Sequence, residues 1–132
     1  MHSRIFVNLP VKDLQRSVKF FTQLGYTFNP QFTDENATCM ILGDNLFVML
    51  LVEKYFKTFT AKAVTDAHQS TEVLTCLSCD SRQQVDGLVA KARAAGAKVP
   101  RQAQDHGFMY THGYEDLDGH TWELVHMTGA SA

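Results

Sequence analysis

Charge of one sign is scarce in this sequence: twelve Lys and Arg stand against fourteen Asp and Glu, a net charge of -2, and no basic run falls on a foreseeable helix. A nucleic-acid groove or an anionic membrane surface is therefore a poor partner. Long apolar runs are missing too. The longest, Leu46 to Val52, suits a buried strand and falls far short of the roughly 20 residues that span a bilayer. Met1 to Leu9 lacks a basic region followed by an apolar stretch, so no signal peptide is expected and the cytoplasm is the expected compartment. Cysteine is limited to Cys39, Cys76 and Cys79, neither an even disulfide framework nor the regularly spaced set of about four ligands that a structural zinc needs. Cys76-x-x-Cys79 invites a redox reading. Residues three apart on a strand point to opposite faces, however, so two small semi-buried thiols are expected. No Gly-x-Ser-x-Gly elbow and no Gly-rich phosphate loop occurs, which leaves acyl and phosphoryl transfer without support.

What is present is apolar material for a core, 45% of 132 residues with nine Phe, in a chain of single-domain length. Arg4 to Leu9 reads as a strand. Asp13 is placed to cap a helix from about Leu14 to Leu24, whose apolar positions Leu14, Val18, Phe21 and Leu24 recur at helical spacing before Gly25 stops it. Strands over Tyr26 to Phe32, Ala37 to Leu42 and Leu46 to Val52 follow, separated by the polar tips Asp34-Glu35-Asn36 and Gly43-Asp44-Asn45. Tyr55 to His68 breaks the pattern; its aromatic spacing suggests a short helix in a connector.

The order then repeats. A strand over Val73 to Cys79 leads to Asp80 or Ser81 as cap, a helix through Val85, Leu88, Val89 and Ala92, and Gly96 as its stop. Beyond it come a weak edge strand at Ala97 to Val99, a strand over Phe108 to Tyr114, the turn Asp116-Leu117-Asp118-Gly119 and a last strand from His120 to His126. The predicted class is α+β, two βαβββ modules: about residues 4–53 and 71–127, joined by a connector of about 54–70. Two such sheets can close into a curved mixed sheet whose trough takes a ligand. Met1-His2 and Thr128 to Ala132 are expected to fray.

Three stretches carry a resemblance: Phe6 to Leu14 with Ser17, Phe20, Phe21 and Leu24-Gly25; Ala94-Ala95-Gly96; and Glu115 to Leu124, with its Asp-x-Asp-Gly-x-x-x-Glu-Leu pattern. Together they resemble the vicinal oxygen chelate superfamily of glyoxalases, bleomycin-resistance proteins, fosfomycin-modifying enzymes and extradiol dioxygenases. The resemblance implies the glyoxalase/bleomycin-resistance/dioxygenase-like fold, a homodimer, and a divalent metal held from the first and last strand of each module. Residue by residue, the family's four ligand positions fall on Phe6, Met49, Val73 and Glu123, and a two-residue slip brings Asn8 and Thr75 forward. Glu123 alone carries a suitable donor, so no cofactor is expected at the standard site.

Glu123 is expected to face the trough with Thr121 and Val125, as an acid or base or as a carboxylate inherited from a metal-binding ancestor. Asn8 either orients a ligand oxygen or satisfies a nearby backbone group. Phe108, Tyr110, His112 and Tyr114 alternate onto one face. On the trough they would form an aromatic wall with His112 as proton shuttle; one residue out of register, they would pack under the helices. Two functions follow. One is a binding protein that takes a small organic ligand between Phe6, Met49, Tyr110 and Tyr114, with Asn8 and Glu123 setting its orientation. The other is a glyoxalase-like lyase or isomerase, or a dioxygenase, which is either metal-free with Glu123 as acid or base and Tyr110 or His112 polarising an oxygen, or built on a non-standard metal site.

Overall fold

In the computed structural model, which describes residues 1–128, strand β1 (Ile5–Val11) gives way to helix α1 (Leu14–Gln23) at Asp13. The Asp13 carboxylate accepts the Arg16 N–H at 3.1 Å and so supplies one of the acceptors a helix start lacks. The buried stripe of this helix runs through Leu14, Ser17, Phe20 and Phe21 to Leu24, rotated toward Ser17 and Phe20 from the stripe read in the sequence, so Val18 is only partly covered.

Strand β2 is short, Thr27–Asn29, because Pro30 has no N–H for the ladder and opens a 3-10 turn over Pro30–Phe32 instead. Strands β3 (Ala37–Gly43) and β4 (Leu46–Val52) form the expected hairpin. The four strands order as β1-β4-β3-β2, with β1 parallel to β4 and the others antiparallel. On one face Val11, Met40, Val48 and Leu50 are buried. The other face, with Phe6, Asn8 and Met49, is open at its Phe6 end and buried at Cys39 and Leu51. The connector does begin with a short helix, α2 (Glu53–Phe56), starting two residues earlier than its aromatic spacing suggests.

The described chain divides into two compact units, residues 1–65 and those from Asp66 onward. In the second, β5 (Leu74–Ser78) leads to α3 (Arg82–Ala94), capped by Ser81, whose hydroxyl accepts the Gln84 N–H at 3.0 Å. The expected strand at Ala97 to Val99 is reduced to one bridge, Lys98 to Glu115; Pro100 ends it, and the edge strand forms later as β6 (Gln104–Asp105). Strands β7 (Met109–Glu115) and β8 (Thr121–Met127) complete the order β5-β8-β7-β6, with β5 parallel to β8. This is the α+β repeat of two four-stranded modules read from the sequence. Of the expected C-terminal fraying, Thr128 is tied to the Phe108 carbonyl at 2.9 Å, and residues 129–132 lie outside the described residues. No helix among the described residues is long and apolar enough to cross a membrane.

The β7–β8 turn is held from inside. Buried Asp116 accepts the Asp118 N–H at 2.9 Å, the His120 N–H at 3.0 Å and the Trp122 indole N–H at 2.9 Å. Burial pushes its carboxyl up from the usual carboxylate range, while His120 and these donors draw it back. Gly119 has φ +86, and a Cβ there would stand 2.7 Å from the His68 backbone nitrogen, so both conformation and space require glycine. Asp116→Ala strands these buried donors and is expected to cost about 2–4 kcal/mol in urea unfolding followed by Trp122 fluorescence. A loss under about 0.5 kcal/mol would show that the turn does not depend on this carboxylate.

Candidate functional site

Strand pairing decides what Glu123 meets. In β8 it lies between Trp122 and Leu124, both fully buried, so alternation turns its carboxylate to the opposite, open face. Its register partner on β5 is Cys76, and on β7 it is Gly113. The carboxylate lies toward Gly113: a Cβ on that glycine would stand 3.0 Å from Oε2 of Glu123 and 3.3 Å from its Cδ. No hydrogen bond or ion pair engages this half-buried carboxylate among the described residues. The exposed Cys76 thiol is pushed up from its ordinary value by partial burial, and then by the negative charge of Glu123. Thr111 and Thr121 share this face.

The aromatic row takes the other face. The Tyr110 hydroxyl donates to Asp86 of α3 at 2.6 Å, and the Arg82 guanidinium of α3 sits 5.0 Å above the Tyr110 ring. Arg82 also holds Asp105 through two bonds of 2.7 and 3.0 Å and keeps its carboxyl below the usual range. Tyr114 is buried and stacks on Trp122 at 6.5 Å, and His112 Nε2 donates to the Arg101 carbonyl at 3.0 Å. Phe108 is exposed just ahead of β7. The register is thus the one that packs the row against α3, because Tyr114 pairs with Trp122 and His112 with Leu124, and the open face has no aromatic wall. Thr75 pairs with Trp122 and follows it to the helix side.

Val73 is corrected in the same way. The cap of α3 is Ser81 rather than Asp80, and the residue that stands seven before it, as Phe6 stands seven before the cap Asp13, is Leu74, which shares the face of Cys76 and Glu123. In the first unit Phe6 pairs with Phe47, their rings stacked at 4.9 Å, and Asn8 pairs with Met49. Phe6, Asn8 and Met49 hold the places in the first sheet that Leu74, Cys76 and Glu123 hold in the second. The Asn8 amide donates to the Phe6 carbonyl at 3.2 Å, which is the backbone-satisfying role.

A divalent metal does not fit the four positions to which the resemblance assigns ligands. Phe6 and Leu74 have no donor atom, Met49 offers a soft thioether, and Glu123 is the one carboxylate. Among the described residues no group of three or more His, Cys, Asp or Glu side chains could hold a metal ion. Two members of the site escaped the sequence reading. Cys76 and Gly113 lie on other strands than Glu123, so neither gives a signal until the β5–β8 and β7–β8 registers are known.

The bleomycin resistance protein-like N-terminal family matches residues 4–43. No curated protein matches the chain. Among solved structures, a hypothetical protein from S. aureus is 28% identical with a TM-score of 0.80, covering 95% of this chain and 94% of that one. A glyoxalase/bleomycin resistance protein/dioxygenase family enzyme from Burkholderia phytofirmans is 15% identical with a TM-score of 0.77, over 93% and 97% of the two chains. A fosfomycin resistance protein from Listeria monocytogenes is 18% identical with a TM-score of 0.70, over 100% and 96%. At these identities the last two are likenesses of fold.

The pairing of Glu123 with Cys76 has a measurable consequence. Glu123→Gln removes the neighbouring charge, so the apparent pKa of Cys76 falls and its alkylation by iodoacetamide at pH 8, read by mass spectrometry of the Cys76 peptide, becomes faster. A pH–rate profile identical to that of the unmodified sequence would separate the two groups.

Proposed function

We propose that this chain, whose fold is that of the vicinal oxygen chelate superfamily, binds a small organic molecule on the open face of its second sheet, with Glu123 orienting it. The observation that carries this reading is the unpartnered carboxylate. Partly burying an ionised group costs free energy, and protein carboxylates out of full solvent are ordinarily paired or hydrogen-bonded. Among the described residues Glu123 pairs across the ladder with Cys76 and shares its face with Thr111 and Thr121 but accepts no hydrogen bond, which leaves its lone pairs for the N–H or O–H groups of a ligand. The match of the N-terminal module to bleomycin resistance-like proteins supports binding as the activity.

The enzymatic reading is weaker in this structure for a specific reason. A metal-free lyase or isomerase needs a proton acceptor and a group that polarises the substrate oxygen. Glu123 can serve as the first. Tyr110 and His112, the groups assigned to the second, are engaged with Asp86 and Arg101 on the opposite face. No step through a metal is assigned.

The reading is tested by thermal-shift screening against a panel of small organic molecules, followed by calorimetry of the hits. Glu123→Ala should weaken binding about tenfold or more, as expected for the loss of a hydrogen bond to a charged group, while the protein stays folded. His112→Ala, on the helix side, should bind as the parent does. Loss of binding in His112→Ala with retention in Glu123→Ala would put the ligand on the other face.

A further inference from the structure

A glycine in the interior of a strand is costly unless something needs the space, and Gly113 sits in the middle of β7. Its φ is not in the left-handed region, so the backbone conformation does not demand glycine. The surroundings do. A Cβ at position 113 would stand 2.5 Å from the Trp122 carbonyl oxygen, and it would crowd the Glu123 carboxylate at the 3.0 and 3.3 Å separations given above. Glu123 is therefore flanked unequally, by bare backbone on the β7 side and by the Cys76 side chain on the β5 side.

We propose that Gly113 is a positioning residue for Glu123: the space over its Cα is the seat in which the carboxylate lies, and any side chain there pushes that carboxylate toward Cys76. The inference rests on Glu123 being the ligand-orienting group, and it assigns the orientation of that group to a neighbour on the next strand. The close Trp122 carbonyl means that Gly113→Ala also strains the β7–β8 ladder, so the backbone and side-chain contributions have to be separated.

A double-mutant cycle separates them. Gly113→Ala, Glu123→Ala and the double variant are compared with the parent by thermal unfolding. The drop in Tm caused by Gly113→Ala should be smaller by at least roughly 4 °C when Glu123 is already Ala. Equal drops in both backgrounds would overturn the proposal and leave Gly113 as a ladder residue only. If Gly113→Ala alone does not fold, the single and double variants are compared in stabilising osmolyte, where relief by Glu123→Ala supports the seat and no relief overturns it. In folded Gly113→Ala, alkylation of Cys76 should slow and its pH–rate profile move to higher pH, opposite to the shift in Glu123→Gln, because the displaced charge comes closer to the thiol. An unmoved profile contradicts the proposal. These readouts involve no ligand, so a negative result here is distinct from Glu123→Ala failing to weaken binding, which would instead reject the proposed function.

Discussion

Asp116 is the constraint on which the second module depends. Its carboxylate accepts two backbone N–H groups of its own turn and the indole N–H of Trp122, joining the hairpin corner to the largest side chain beneath the sheet. Once Trp122 is drawn inward, the period of two along β8 leaves Glu123 no choice but the open face. The same turn sets which residue of β7 stands across from it, and that residue is Gly113 rather than His112 or Tyr114. A one-residue slip would exchange a carboxylate seated on bare backbone for one facing an aromatic row, and so change the chemistry of the face.

The two sheets repeat one plan with different contents. In the first, the open-face places hold a stacked Phe6–Phe47 pair, Asn8 bonded to its own strand, and Met49. In the second they hold Leu74, Cys76 and Glu123. Each set is poor in hard donors, and in the second a single carboxylate beside a neutral thiol suits hydrogen bonding better than coordination.

Element order was legible because local signals and packing agree: Asp13 caps α1, the run Leu46–Val52 is β4, and the Asp-Gly corner turns β7 into β8. Errors arose where a count depended on one ambiguous residue. Asp80 and Ser81 both have capping side chains, and only the formed helix shows that Ser81 accepts the amide, so the residue on β5 that corresponds to Phe6 is Leu74 and not Val73. The alternation of Phe108, Tyr110, His112 and Tyr114 was visible, but alternation fixes which residues share a face and not which face they share; the hydrogen bond from Tyr110 to Asp86 settles that. Glu123 lies on the open face because Trp122 and Leu124, its large apolar neighbours, are inside.

The central claim is that Glu123 works as a bare carboxylate. Its most direct test is elemental analysis of protein purified without a histidine tag, after incubation with excess nickel, zinc, manganese and ferrous iron and desalting, with Glu123→Ala in parallel. The account predicts far less than one equivalent of any metal per chain in both proteins; a stoichiometric metal in the parent that disappears in Glu123→Ala would contradict it.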